Sequence, residues 1–172
     1  FLGGFNNPSG VSISRDGTHA LVSNYIGDDK IARLPLTAAT PSTAATTTST
    51  TTAPVYLPIT PKIVAAGDVA LSPDNAFFLV SDGYPSFSVK HVDTNTNTVT
   101  RTYEGFTCPQ GLDISSDTSF ALVADSWEGI GHIDFRTHQV SFPYPKEGIE
   151  WPSGVAISPD ASFALFSNRY NK

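Results

Sequence analysis

The chain has 172 residues, with 10 Lys plus Arg against 16 Asp plus Glu and a net charge of −6. That length holds one domain with a real core, and the acidic balance argues against a nucleic-acid partner held by counterion release. The longest wholly apolar runs, 76–80 and 120–124, fall far short of the roughly 20 residues that cross a bilayer, and the single Cys108 excludes an intrachain disulfide and a Cys-rich zinc site.

The chain contains no methionine and starts at Phe1, so a removed leader or a longer parent chain is expected. The first element recurs. Pro8-Ser-Gly-Val-Ser-Ile-Ser-Arg-Asp16 returns as Ala66-Gly-Asp-Val-Ala-Leu-Ser-Pro-Asp74, Pro109-Gln-Gly-Leu-Asp-Ile-Ser-Ser-Asp117 and Pro152-Ser-Gly-Val-Ala-Ile-Ser-Pro-Asp160. The turn aspartates Asp16, Asp74, Asp117 and Asp160 lie 58, 43 and 43 residues apart, so the period is 43 with one insertion. After each turn the columns continue: His19, Phe77, Phe120 and Phe163; then Leu21, Leu79, Leu122 and Leu165; and finally Asn24, Asp82, Asp125 and Asn168.

The alternation of Val11 and Ile13 with small or polar residues predicts a strand, the Asp-centred turn a hairpin, and the run from Phe77 to Ser81 its returning strand. A third strand is expected at residues 31–34, 87–93 and 131–134. A fourth is expected at 55–59, 98–103 and 140–144. No window carries convincing helical spacing. The fold class is therefore all-β: a β-propeller of tandem four-stranded antiparallel blades of about 43 residues. Residues 1–172 form one partial propeller. Blade 1 covers about 8–65 with an insert at 37–54, blade 2 about 66–108, blade 3 about 109–151, and a half-blade 152–172.

Pro-x-Gly-Val-x-Ile-Ser-Pro-Asp followed by an apolar strand ending in Ser-Asn resembles the YVTN and NHL families of propeller repeat, from Pro8 to Lys172 apart from the insert. About three and a half blades is fewer than the 4–8 of common propellers. Closure is expected from a longer chain, from two combining copies, from head-to-tail stacking, or from a four-bladed ring with one incomplete blade.

Within 37–52, 11 of 16 residues are Ser or Thr. Such a tract cannot bury enough apolar surface to offset its ordering entropy, and with proline it is similar to O-glycosylated stalks. The expected O-glycan acceptors are Thr37, Thr40, Ser42, Thr43, Thr46, Thr47, Thr48, Ser49, Thr50, Thr51 and Thr52, on an outer loop of an extracellular or cell-surface protein. A plain flexible insertion is the other reading.

No catalytic residue is expected. The histidines are scattered, His19 reads as a packing residue, and there is no Gly-x-Ser-x-Gly elbow. The family resemblance implies that some such propellers hold a divalent ion in the channel. Asp113, Asp68, Asp125 and Asp82 are the candidate ligands, Ca²⁺ being the cation that suits them. Turn capping in the loop after the second strand is the preferred role for the recurring Asn24, Asp82, Asp125 and Asn168, and a structural turn role is expected for Asp16, Asp74, Asp117 and Asp160. Cys108 reads as an inert thiol or a link to another chain, and Tyr25, Tyr84 and Trp127 as an aromatic rim that packs against a neighbouring loop or binds a peptide or a sugar. The expected function is a non-catalytic scaffold for protein partners or glycans, with copies of itself among the partners and a surface filament or layer as one setting. A metal-dependent lactonase or lyase-like domain is the alternative.

Overall fold

The computed structural model describes residue 5 and residues 7–25, 31–36 and 53–169. The first sheet contains β1 (Pro8–Ile13), β2 (His19–Asn24), β3 (Ile31–Pro35) and β4 (Val55–Tyr56). The second contains β5 (Ala66–Leu71), β6 (Phe77–Asp82), β7 (Ser88–Asp93) and β8 (Val99–Tyr103). The third contains β9 (Pro109–Ile114), β10 (Phe120–Asp125), β11 (Gly129–Asp134) and β12 (Val140–Ser141), and a two-strand sheet joins β13 (Pro152–Ile157) to β14 (Ala164–Asn168). All pair antiparallel in chain order. Fourth strands were expected at 55–59 and 140–144, yet β4 and β12 have two residues each. The outermost strand has a neighbour on one side only, so little pairing holds it in place.

The inner strands β1, β5, β9 and β13 lie side by side. Between sheets the apolar columns interlock. Leu21 and Ile31 meet Val69, Phe78 and Val80 at the first junction. Leu79 and Val89 meet Leu112, Ile114 and Val123 at the second. Leu122 and Ile130 meet Val155 and Ile157 at the third. Full burial stabilises each such side chain by about 1.5–3 kcal/mol. In the second and third sheets this explains why β6 and β10 are apolar on both faces: each face meets a neighbouring sheet.

The hairpin motif has a local physical basis. In the first turn Asp16 Oδ1 accepts the Thr18 N–H at 3.0 Å, and Asp74, Asp117 and Asp160 do the same for Ala76, Ser119 and Ser162. The buried serine two residues earlier closes the hairpin neck. Ser14, Ser72 and Ser158 accept the N–H of His19, Phe77 and Phe163, and Ser115 that of Phe120. These bonds favour the ionised aspartate, holding Asp16 and Asp160 down to about 2, with the serine hydroxyl as the largest cause.

The residue after each turn aspartate sits in the left-handed region: Gly17 (φ 67°), Asn75 (61°), Thr118 (59°) and Ala161 (55°). Gly17 and Asn75 are suited to it, and β-branched Thr118 is the worst matched. Thr118→Gly is therefore expected to raise stability by about 1 kcal/mol, read from the midpoint of urea unfolding. An unchanged or lower midpoint would contradict it.

Candidate functional site

Asp68 and Asp113, two of the four candidate metal ligands, stand on the inner strands and face the same problem. The inner edge of each sheet has backbone N–H groups with no further strand to accept them. Asp113 Oδ2 accepts the Ile157 N–H of the next sheet at 2.7 Å while Oδ1 accepts Ile114 N–H at 2.8 Å. Asp68 does the same one junction earlier, with Oδ2 on Leu112 N–H at 3.1 Å and Oδ1 on Val69 N–H at 2.9 Å. At the first junction Ser12 Oγ accepts Leu71 N–H at 2.9 Å. Each junction thus has one side-chain acceptor that ties one inner strand to the next. Burial, and secondarily the Asp113 charge, push the Asp68 carboxyl above the usual range against the pull of its two N–H donors.

Asp82 and Asp125 end β6 and β10 and are fully buried. Asp82 Oδ1 accepts Val64 and Ala65 N–H, at 3.1 and 2.8 Å. Lys90 Nζ stands 3.9 Å from its other oxygen. Capping of the following loop was expected for this column, but Asp82 caps the segment that enters β5. The reason is register: Ala66 pairs with Asp82, so the residues before Ala66 pass over the end of β6. Asp125 serves both loops, accepting Thr107 and Cys108 N–H on the entering side and Trp127 and Glu128 N–H on the leaving side. The four acids do not converge. Among the described residues no three His, Cys, Asp or Glu side chains form a group that could hold a metal ion.

The loops so held surround a pocket of about 330 Å³ at one end of the inner strands. Tyr25, Tyr84 and Phe87 supply aromatic wall, and Ser9, Gln110 and Ser153 supply polar groups. Tyr84 is 74% exposed and packs edge-on against Phe87 at 5.7 Å. Cys108 also lines the pocket, half-buried, with Gln110 Nε2 donating to its Sγ at 3.3 Å. The one carboxylate in the lining is Asp68, whose oxygens are engaged by backbone N–H as above. Beside Asp68 the wall offers aromatic faces and neutral hydrogen-bonding groups. Trp127 does not line this pocket; it lies 5.2 Å from Trp151, both partly exposed. His19 is buried, with Thr18 Oγ1 and Arg33 Nη2 near its Nδ1, and burial lowers its basicity with help from Arg33.

Sequence reasoning missed Ser12 as a tie and Phe87 and Gln110 as pocket wall. The signal for Ser12 was present: it shares a column with Asp113, and both are acceptors. The expected O-glycan acceptors from Thr37 to Thr52 lie outside the described residues.

Three tandem four-stranded antiparallel sheets and a fourth hairpin, arranged around adjacent inner strands, define a β-propeller. Among solved structures the chain is similar to Kuenenia stuttgartiensis hydrazine synthase, with a TM-score of 0.67 and 25% sequence identity over 94% of this chain. It spans 43% of the length of that structure. No family model matches the sequence, and no curated protein matches it.

Proposed function

We propose that the chain is a non-catalytic binding propeller of the extracellular space or cell surface, related to the YVTN and NHL repeats, whose partners are proteins or glycans. The observation that carries this is the Tyr25–Tyr84–Phe87 pocket. Apart from Asp68, whose oxygens accept backbone N–H groups, its polar groups are neutral. Aromatic faces bordered by hydroxyl and amide groups suit a peptide side chain or a sugar ring. The Thr-rich 37–52 segment carries O-glycans in this reading, and a surface layer or filament is its setting. Hydrazine synthesis is named for the neighbour and is not carried over to this chain. An enzymatic reading of this chain would need acids with free oxygens in the channel, where Asp68 and Asp113 serve as ties.

The test is to screen the protein against a glycan array and a displayed peptide library, then repeat with Tyr84→Ala. Tyr84 is largely exposed, so the variant keeps its melting temperature while its affinity for the selected ligand falls at least tenfold. Selected ligands that bind Tyr25→Ala and Tyr84→Ala as tightly as wild type would remove the pocket from the proposal. The mass of the natural protein before and after O-glycan removal tests the surface assignment separately.

A further inference from the structure

The second and third sheets gather basic side chains at the outer end of their junction. On β7 and β8, Val89 stands opposite Tyr103 and His91 opposite Arg101. Val89 and Tyr103 pack into the junction with the third sheet. His91 and Arg101, two residues along each strand, therefore lie on the same face. The turn after β11 meets them from the third sheet. Its Phe135 is edge-on to Phe77 at 5.5 Å, and Tyr103 Oη lies 3.2 Å from His138 Nδ1. His91 lies flat on Phe77, with ring centroids 4.1 Å apart and an 18° interplanar angle, and 6.5 Å from the Phe135 ring.

The repeat does not require this gathering. Opposite the basic residue of the third strand, the fourth strand carries Val55 in the first sheet and Ser141 in the third, but Arg101 in the second. His138 takes the place that Asn97 holds in the second sheet. Each donates its N–H to the aspartate carbonyl four residues earlier, Asp134 or Asp93, and each is left-handed, with φ of 58° and 55°. Asparagine meets that backbone demand, so the turn does not need the imidazole.

Nor do these groups find an opposite charge. Arg101 is exposed and joins no ion pair among the described residues. The aspartates of the two turns are engaged: Asp93 Oδ1 accepts Asn95 and Thr96 N–H, and Asp134 Oδ1 accepts Arg136 and Thr137 N–H. Arg136 also places its charge beside Asp134. Burial first, then the Arg101 and His138 charges, hold His91 below the usual imidazole range, and only Asp93 pulls the other way by its charge. A protonated imidazole has two donors. Nδ1 of His91 is occupied by Thr100 Oγ1 at 2.8 Å and Nδ1 of His138 by Tyr103, while neither Nε2 has a hydrogen-bond partner among the described residues.

We infer that His91, Arg101 and His138 form a site for a sulfate or phosphate group at the outer end of the junction between the second and third sheets. The Arg101 fork offers paired N–H donors and each Nε2–H offers one more. Three directions of approach match a tetrahedral oxyanion better than a planar carboxylate. A metal cation does not suit the place, because Arg101 stands opposite His91. Binding draws on the imidazolium forms, so it strengthens as pH falls through the His91 titration and weakens above it.

The test is an NMR titration of the four histidines of the full chain with sodium sulfate replacing chloride at constant ionic strength. Sulfate keeps its charge across the range, which phosphate does not. Saturable movement of the His91 and His138 Cε1–H signals is expected at about pH 5.5, with little at about pH 8. His132 is the internal control: it stacks on Phe120 as His91 does on Phe77, but it faces Ser141. Arg101→Gln and His138→Asn should each weaken binding about tenfold. Their melting curves should match wild type, since both side chains are exposed and asparagine fits the left-handed turn. Tighter binding of glucose 6-sulfate than of inorganic sulfate places the group on a sugar, and equal binding makes the free anion the ligand; either supports the site. No saturable movement, or full-strength binding by Arg101→Gln, overturns the inference. Equal movement of His132 also overturns it, because the effect is then ionic screening alone.

Discussion

Gly111→Ala lowers the stability of the chain by about 3 kcal/mol and its melting temperature by about 6–12 °C. A Cβ at Gly111 would lie 2.6 Å from the Gly154 Cα and 2.7 Å from the Ser153 carbonyl oxygen. Both are backbone atoms of the neighbouring inner strand, so β13 must move away as a body. That movement stretches the 2.7 Å bond between Asp113 and Ile157 and opens the Leu122–Val155 contact behind it. Gly154→Ala is the internal control. Its Cβ would meet only the Ser167 hydroxyl, at 3.1 Å, a side-chain tip that can rotate, and the loss should stay under about 1 kcal/mol. Differential scanning calorimetry of the two variants decides the matter. Equal shifts would mean that the inner strands do not approach as closely as described.

The same close approach explains what could be read from the sequence. The apolar columns recur on one plan, with the second and third sheets each packed between two others while Val11 and Ile13 of the first sheet stay exposed, and recurrence located both strands of every hairpin. The turn aspartates and the neck serines recur because the turn is the same object each time. The ties between sheets do not recur. Ser12, Asp68 and Asp113 answer one requirement from two different columns, so an alignment of the repeats presents them as exceptions. Exceptional acids on a channel suggest a metal, whereas the hydrogen bonds show them accepting N–H groups across the junctions. Which loop Asp82 caps was equally hidden, since it depends on the Ala66–Asp82 pairing rather than on neighbours in sequence. The pocket depends on loops from separate repeats meeting, which no single repeat encodes. Two of the outermost strands were overestimated because 57–59 and 142–144 continue the apolar pattern by packing Leu57, Ile59 and Phe142 against the core, without extending the ladder as strand.

Asp125→Ala is the substitution with the largest expected effect, about 4 kcal/mol lost. Asp125 is fully buried and accepts four backbone N–H groups and the Thr107 hydroxyl, at 2.7–3.1 Å. Alanine leaves those donors facing one another without their common acceptor, in part-buried positions. Asp82→Ala, with two donors on Val64 and Ala65, should lose about half as much. Asp125→Asn falls between wild type and alanine, because one amide oxygen remains while the amide NH₂ now faces N–H donors. Urea unfolding of the three variants measures the order, and a loss at Asp82 equal to that at Asp125 would contradict the donor count. The consequence also reaches the pocket. Asp125 fixes the 107–108 segment on one side and the 127–128 segment on the other, so one carboxylate sets both the half-buried position of Cys108 and the placement of Trp127 against Trp151. A ligand selected on the Tyr84 rim should therefore lose affinity in Asp125→Asn while the protein is still folded. Asp82→Ala should weaken it through the 64–65 segment, because Ala65 also lines the pocket. Coupled losses of stability and binding at Asp125, beside the binding loss without destabilisation at Tyr84, separate the residue that builds the rim from the residue that uses it.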